Sequence, residues 1–387
     1  MPIKNRFAEL LPEITAWRHD FHEHPEILYE VHRTAGIVAE KLREFGCDEV
    51  VEGIGRTGVV AVIRGQTDTS GRTLGLRADM DALPMEEKTG LPHASKTPGA
   101  MHACGHDGHT SILLGTAKYL AETRRFDGTV VLIFQPAEEG GAGGKAMVDD
   151  GLMERWKIDE VYGLHNMPGI PAGEFAIRPG ALLASADEFA ITINGKGGHA
   201  AQPHTTIDPV VASAHVIVAL QSVASRNADP TKSVVVSVCT VKSDTESQNI
   251  IPGAVALRGT VRTLDPAIRD LAETRIRALV TSTAEAFGAT AEIDYKRGYP
   301  VTMNTPEQTD FAAQIAEKVA GAVTTDIPPI MAAEDFAYML EERPGAYIML
   351  GNGDTAMVHH PAYDFNDEAI PAGCSWFAEL VETRMPA

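Results

Sequence analysis

Two glutamates stand side by side in this chain, directly after an apolar run. Glu138 and Glu139 follow residues 129–135, whose apolar composition predicts a strand that is buried on both faces. Two neighbouring carboxylates repel each other in a buried site, which is costly unless cations lie close by. A bound metal would also divide their roles, because one carboxylate could ligate it while the other takes a proton from water. The pair therefore indicates a hydrolytic metal site.

A second cluster supplies side chains that ligate borderline divalent metals. Cys104 and His106 are separated by one glycine, so a loop can turn both side chains toward one point. Asp81 precedes this cluster and His165 follows it, and we expect each group to stand where a buried strand ends. Because ligands bind beyond the carboxyl ends of the strands in open α/β sheets, these side chains can converge. Asp81 is expected to orient a ligand or to fix a loop.

The elements that must position these residues alternate between strands and helices. Short apolar runs at residues 59–63, 73–77 and 129–135 predict buried strands, and helical patterns follow at residues 109–121 and 145–151. Alternation of this kind predicts an α/β fold with a mixed, mostly parallel sheet. The sheet would carry the candidate site at one of its edges.

The middle of the chain has a different pattern. Strands and helices between residues 186 and 296 follow the order β-α-β-β-α-β, which is typical of a ferredoxin-like α+β module. We therefore expect a catalytic, metal-binding domain formed by residues 1–185 and 297–387, with an inserted domain at residues 186–296. The strand at 234–238 is apolar enough to need cover at a sheet edge, which favours a homodimer.

Composition and charge exclude several classes of partner. The chain has 387 residues, with 53 Asp and Glu against 33 Lys and Arg, and no stretch collects basic residues. A nucleic-acid partner is therefore not expected. No run approaches the roughly 18 apolar residues of a membrane helix, and the first residues lack the apolar segment of a secretory signal. These features predict a cytoplasmic protein that does not contact membranes.

The candidate residues belong to a longer set of motifs that resembles one family. The sequence is similar to the M20 metallopeptidases, and within them to the amidohydrolase branch that contains hippurate hydrolases, indole-acetyl amino acid hydrolases and N-acyl amino acid amidohydrolases. The resemblance spans nearly the whole chain. Its motifs, in chain order, are Trp17-Arg18, His22-Glu-His24-Pro25-Glu26, Arg77-Ala-Asp79-Met-Asp81-Ala-Leu-Pro84, Met101-His-Ala-Cys104-Gly-His106-Asp107, Gln135-Pro-Ala-Glu138-Glu139, His165, Gly195-Lys-Gly-Gly-His199-Ala, Asn249-Ile-Ile-Pro252 and His359-His-Pro361.

The resemblance implies a role for individual residues. It implies two divalent metal ions held by five ligands, which are Cys104, His106, Glu139, His165 and His359. Glu138 would then be the general base, and Asp81 would support the ligands. His199 would help hold the substrate carbonyl, while Asn249 and Arg262 would lie near the substrate. The inserted domain would act as a lid and form a homodimer, or a dimer of dimers, in which one chain completes the site of the other.

The expected activity is hydrolysis of the amide bond of an N-acyl amino acid, which releases a carboxylic acid and an amino acid. Zinc or manganese is the expected metal, with nickel and cobalt as further alternatives. Two other functions stay open, namely a di-, amino- or carboxypeptidase of the same fold and a metal-binding protein without turnover. A spare carboxylate beside a ligand argues against the latter. The other motif histidines, and one more, are assigned structural roles: His22, His24, His93 and His102.

Overall fold

The computed structural model describes residues 3–387, which form two compact units. The first unit holds the chain up to Leu182 together with Met303–Pro328 and Asp335–Ala387. The second unit holds Leu183–Thr302 and Pro329–Glu334, and so interrupts the first along the chain. The insert expected at residues 186–296 falls inside this second unit. Among the described helices, none is long and apolar enough to cross a membrane.

Helices and strands alternate through both units. The helices have these bounds: α1 Ile3–Glu23, α2 His32–Glu44, α3 His106–Thr123, α4 Gly143–Asp149, α5 Leu152–Arg155, α6 Pro209–Ser222, α7 Pro266–Ala286, α8 Pro306–Ala320, α9 Ala337–Glu342 and α10 Ile370–Arg384. The strands have these bounds: β1 Glu49–Ile54, β2 Gly58–Arg64, β3 Thr73–Asp79, β4 Thr129–Gln135, β5 Glu160–Pro168, β6 Phe175–Ala176, β7 Gly180–Leu183, β8 Ser185–Asn194, β9 Gly198–His199, β10 Val234–Ser243, β11 Ile250–Ile251, β12 Ala254–Thr263, β13 Thr290–Arg297, β14 Thr302–Asn304, β15 Val323–Thr324 and β16 Gly345–Gly353.

A mixed sheet forms the centre of the first unit. Within the described residues it has eight strands in the order β1-β2-β4-β3-β5-β16-β6-β15. The central strands β4, β3, β5 and β16 run parallel, whereas β1 and β2 form an antiparallel edge. The parallel strands are nearly continuous runs of buried residues, because helices cover both faces of such sheets. This arrangement is the mixed, mostly parallel sheet that the alternating pattern indicated.

Helix α3 is the buried helix that carries one end of the candidate site. It contacts α1, α10 and strand β3, and most of its residues are buried. The residue before it, Gly105, has a φ of +86°, in the left-handed region that favours glycine. His106 is therefore the first helical residue, and its side chain is placed by a helix that packing holds on several sides. The helix begins three residues earlier than the sequence pattern indicated.

The second unit is an antiparallel ferredoxin-like module. Strands β8, β10, β12 and β13 form its sheet in the order β10-β12-β8-β13, with α6 and α7 packed against it. Asp208 and Asp265 cap the two helices by accepting hydrogen bonds from backbone N–H groups of the first turn. A proline follows each cap, at the first helical position, where no N–H donor is lost. Strand β10, which contains the apolar run at 234–238, lies at one edge of this sheet.

Candidate active site

Side chains from separate segments of the first unit converge on one point. The potential ligand atoms of Cys104, His106 and His165 all lie within 4.8 Å of one another. Those of Cys104, Glu139 and His359 form a second group within the same limit. Because the two groups share the Cys104 thiol, they describe adjoining sites that suit a pair of metal ions. The structure thus brings together all five residues that the resemblance implies as ligands.

Strand ends position only part of this set. Glu138 and Asp81 follow β4 and β3 closely, as expected. His165, however, lies within β5, because β16 pairs with β5 as far as Pro168, beyond the point where pairing with β3 stops. Cys104 lies on the loop before α3 rather than at a strand end. The expectation that every group follows a strand is therefore wrong for His165 and Cys104, although their side chains still converge.

Two of the candidate ligand rings are oriented by backbone carbonyls. His106 donates from Nδ1 to the carbonyl oxygen of Asp81 at 2.8 Å. His165 donates from Nδ1 to the carbonyl oxygen of Asn166 at 2.6 Å, and its Nε2 lies 3.4 Å from Cys104 Sγ. In each ring the hydrogen bond from Nδ1 directs Nε2 toward the site, where the neutral ring can bind a metal through that atom. Outer hydrogen bonds of this kind hold the ring plane as well as the tautomer.

The two glutamates are held by the side chain of Asp81. Its Oδ1 accepts the backbone N–H of Glu138 at 2.8 Å, and its Oδ2 accepts that of Glu139 at 3.1 Å. The preceding residue, Ala137, has a φ of +55°, a left-handed conformation that costs a non-glycine residue about 1–2 kcal/mol. The turn after β4 is therefore strained, and the Asp81 carboxylate offsets part of that strain while aiming both glutamates.

His359 joins the site from the loop that follows β16. Its Nε2 lies 3.2 Å from Glu139 Oε1, and its backbone N–H donates to the carbonyl oxygen of Ala103 at 2.7 Å. His359 has a φ of +62°, so it is held in a left-handed conformation, as Ala137 is. The neighbouring ring, His360, accepts instead from the backbone N–H of Ala362. His359 is the member of the pair that stands among the candidate ligands.

Burial and the surrounding carboxylates control protonation at the centre. Burial raises the pKa of the Cys104 thiol, and Glu139 and Glu138 raise it further. Burial lowers the pKa of His106, but Asp79 and the other nearby carboxylates outweigh it and raise the pKa to about 10. Without a cation, the protein's own charges would therefore keep a thiol and an imidazolium here. A divalent metal reverses both preferences, because it takes the place of these protons on its ligands.

His165 and Glu139 are already in the forms that bind metals. Burial, together with His109, lowers the pKa of His165 to about 3, so its ring is neutral. Burial raises the pKa of Glu139, but His359 and His106 outweigh it, and the net shift is downward. One atom tests the fit directly, since His106 Nε2 is buried without a hydrogen-bond partner and lies 4.0 Å from Glu139 Oε1. Metal ions held by the two adjoining groups would give both atoms a partner, so the residues present fit a dinuclear centre.

Sequence reasoning assigned no role to two residues behind the ligands. His109 donates from Nδ1 to Asp79 Oδ1 at 2.6 Å, and its Nε2 accepts the backbone N–H of Asn166 at 2.9 Å. Asp79 in turn accepts from Arg77, which is buried with it. His109 is thus a fully bonded support for the segment that carries His165. Its position three residues after His106 in the same helix was the available signal, because such residues share a helix face.

The remaining predicted site residues lie in the second unit. His199 is on strand β9, which pairs with β11, and the backbone N–H of Ala200 donates to the carbonyl oxygen of Asn249 at 3.0 Å. The structure therefore brings His199 and Asn249 together. Arg262 pairs with Val235 near the far end of β12, about 26 Å along that strand from its start at residue 254, at roughly 3.3 Å per residue. Its Nη1 donates to its own strand, at Thr260 and Val261. Arg262 is therefore not part of the His199 group.

The histidines that were assigned structural roles occupy polar networks or the core. His22 bonds to Asp107 at 2.8 Å, and His24, just after α1, bonds to the carbonyl oxygen of Asp20 in the last turn of that helix. His93 lies 3.2 Å from Asp364, and burial lowers the pKa of His102 to about 3.

Comparison with known proteins places this geometry in a family. Peptidase family M20/M25/M40 matches residues 75–383 of the chain. A hippurate hydrolase of Campylobacter jejuni is 43% identical over 374 residues, which cover 96% of each chain. Thermostable carboxypeptidase 1 of Saccharolobus solfataricus is 42% identical over 90% of this chain and 88% of its own length. The crystal structure of a dinuclear metal-binding M20 peptidase from Bacillus subtilis superposes with a TM-score of 0.86 at 34% identity, covering 98% of this chain and 99% of the other. The converging ligands and the span of these matches establish that the chain belongs to the M20 peptidase family, as a metal-dependent hydrolase.

Proposed function

We propose that this enzyme hydrolyses the amide bond of N-acyl amino acids and releases a carboxylic acid and an amino acid. The observation that carries the proposal is the glutamate pair, whose backbone N–H groups share the Asp81 carboxylate, so that one residue can ligate a metal while its neighbour serves as a base. Glu139 lies with Cys104 and His359, while Glu138 stands beside it under the same Asp81 carboxylate. A metal-binding protein without turnover would have no use for this spare base.

In the proposed reaction Glu138 moves the proton. Metal ions held by Cys104, His106, Glu139, His165 and His359 would polarise the substrate carbonyl and lower the pKa of the attacking water. Glu138 accepts the proton from that water as it attacks the carbonyl carbon, and then passes the proton to the leaving amine. Asp81 keeps Glu138 in place through its backbone N–H. His199 donates a hydrogen bond to the oxyanion, which is worth a few kcal/mol per donor in such reactions.

The metal is proposed to be zinc or manganese. Thiolate and imidazole ligands suit zinc, whereas the carboxylates around the site also suit manganese, nickel or cobalt. Occupancy then depends on which ions are available as well as on affinity. We place the enzyme in the cytoplasm, since its cysteines, Cys47, Cys104, Cys239 and Cys374, are all free.

We further propose that the enzyme is a homodimer, or a dimer of such dimers, formed through strand β10. This strand is at the edge of its sheet and exposes Val235 and Val241, by 39% and 60% respectively. An exposed apolar edge is a template for pairing with another chain, and two-fold symmetry closes such pairing in soluble proteins. Helix α6 of the same unit also exposes an apolar residue, Val218, by 70%.

His199 is proposed to act at the site of the partner chain, and Asn249 to lie near the substrate beside it. The ring of His199 is exposed and accepts only a local hydrogen bond, from the backbone N–H of Ala201. This leaves its other nitrogen available to a substrate. Arg262 is kept as a candidate for contact with the substrate, although the fold separates it from His199.

A peptidase is the second candidate, favoured by the similarity to a carboxypeptidase. Both candidates are tested by one substrate panel with the zinc- or manganese-loaded enzyme. The panel contains benzoyl and acetyl amino acids, dipeptides with a free amino group, and the same dipeptides acylated at that group. Release of the benzoyl or acetyl acid supports the amidohydrolase, whereas faster cleavage of the peptide bond, in the free or the acylated dipeptides, overturns it in favour of the peptidase.

A further inference from the structure

Asn166 lies at the point where the separate metal-binding segments meet. It follows His165 in strand β5 and is almost completely buried. Its backbone carbonyl orients the His165 ring, and its backbone N–H donates to His109. Its side-chain Nδ2 donates to the carbonyl oxygen of Cys104 at 2.5 Å. One residue therefore contacts the peptide of one candidate ligand and the ring of another.

The other end of the Asn166 amide is held by Tyr363. The Tyr363 hydroxyl donates to Asn166 Oδ1 at 2.6 Å, across 197 positions of sequence. Tyr363 is fully buried and lies four residues after His359, in a turn where its own N–H donates to the carbonyl oxygen of His360 at 2.9 Å. The hydrogen bond therefore ties the loop that carries His359 to the strand that carries His165.

The glycine of the Cys-Gly-His motif is explained by this same arrangement. A Cβ atom on Gly105 would lie 2.2 Å from Asn166 Nδ2 and 2.6 Å from the Tyr363 hydroxyl, closer than real contacts allow. Its φ of +86° also disfavours any other residue. Gly105 thus lets the Asn166 and Tyr363 pair reach the backbone between Cys104 and His106.

We propose that Asn166 and Tyr363 are positioning residues that hold the His359 loop against the Cys104 and His165 segments, and so set the affinity of the metal that His359 ligates. The Tyr363 hydroxyl and the Asn166 amide bond to each other, and the amide also bonds to the carbonyl oxygen of Cys104, so we assign neither residue as a ligand. Their effect passes through hydrogen bonds to the ligands, and loss of such outer partners reduces metal affinity by about 10- to 100-fold in metalloenzymes. The inference rests on the proposed assignment of His359 as a ligand.

The test compares Tyr363→Phe with a matched tyrosine. Tyr162→Phe is the control, because Tyr162 is also fully buried and donates its hydroxyl to a single side chain, Glu160 Oε2, at 2.7 Å. Metal-free enzyme would be titrated with Mn²⁺ under equilibrium dialysis, with bound ions counted by atomic emission. We expect Tyr363→Phe to lower the affinity for one of the two ions by about 10-fold and to leave the affinity for the other unchanged. Tyr162→Phe should bind both ions as the parent does.

Activity gives a second measurement with the same substitutions. At limiting Mn²⁺ Tyr363→Phe should be nearly inactive, and excess Mn²⁺ should restore kcat with KM unchanged. If the role of Tyr363 is purely structural, the substitution lowers the melting temperature without changing the Mn²⁺ concentration at which the sites are half filled. That result would overturn the inference. Should Tyr363→Phe not fold, Asn166→Ser removes the same hydrogen bond from the other side, and its Mn²⁺ concentration at half filling is the measurement.

His359→Ala separates this inference from the assignment beneath it. If His359→Ala loses one ion while Tyr363→Phe binds both normally, only the positioning role is wrong. If His359→Ala itself keeps both ions at parental affinity, the ligand assignment fails, and the positioning role fails with it.

Discussion

The carboxylate of Asp81 accepts the backbone N–H of Glu138 at 2.8 Å. This bond joins the end of β3 to the strained turn after β4, where Ala137 adopts a positive φ. The same carboxylate accepts the backbone N–H of Glu139, and the Asp81 carbonyl oxygen accepts a hydrogen bond from the His106 ring. One aspartate thus sets the direction of the proposed base and of two proposed metal ligands.

Asp81→Asn tests this arrangement, because an amide has one acceptor oxygen and would turn an NH₂ group toward the second N–H. We expect kcat to fall by about 10- to 100-fold, with weaker metal binding, as for other outer-sphere partners. Asp127→Asn is the matched control, since Asp127 also accepts backbone N–H groups but precedes β4. An unchanged kcat in Asp81→Asn would show that the glutamates hold their positions unaided.

Glu138→Gln separates the base from the ligands. The substitution removes the proton acceptor and leaves the proposed ligand set intact, so metal content should stay near normal while kcat falls at least about 10²- to 10⁴-fold. Glu139→Ala should instead lose metal, because it deletes a ligand. Metal content and kcat measured on both variants check the division. Equal loss of metal in the two variants contradicts it.

Cys104→Ala should lower the content of at least one ion, since its thiol is common to both groups of candidate ligands. Cys374→Ala is the control, because that thiol is also buried but donates to the carbonyl oxygen of Ile112 within the core. Atomic emission on the purified proteins gives the ratio of metal to chain. Full occupancy in Cys104→Ala would make this cysteine a packing residue.

Mixed dimers test whether His199 acts across the interface. Glu138→Gln and His199→Ala chains, co-expressed with two different tags, give heterodimers in which one site has both residues intact. We expect these heterodimers to recover activity that neither parent shows, up to about half that of the native dimer, in which both sites are intact. Heterodimers as inactive as their parents would mean that His199 acts within its own chain or not at all.

Stability should fall as the pH rises above neutrality. Burial lowers the pKa of His22, but Asp107 and Glu87 outweigh it and raise the pKa to about 9. Because this value exceeds the unfolded value of about 6.5, the folded protein binds more protons, and the contribution is complete below pH 6.5. It is lost as the pH rises through 9, by about 3 kcal/mol in all.

Urea unfolding between about pH 6.5 and 8.5 measures this loss before cysteine thiols ionise in the unfolded chain. His22→Gln is the comparison, because it removes the titrating ring. The variant should be less stable than the parent at pH 6.5 and should show a flatter dependence on pH. Parallel curves for parent and variant would exclude His22 as the titrating group.

Much of this protein can be inferred from short stretches of its sequence. The elements of the ferredoxin-like module are set by local hydrophobic period, and α6 and α7 begin at Asp-Pro pairs whose capping is a local interaction. The metal chemistry is also visible locally, because Cys104 and His106 are two positions apart and Glu138 is next to Glu139. Residue type and close spacing are sufficient for such features.

Only the tertiary structure decided which partners these groups have. The placement of His165 inside β5 depends on pairing with β16, and Arg262 is separated from His199 by the length of β12. The hydrogen bond between Tyr363 and Asn166 joins residues 197 positions apart. The direction of a side chain at such a point is set by the packing of whole strands and helices. A contact between distant residues produces no periodic pattern in the sequence around either residue, so it cannot be predicted from local sequence.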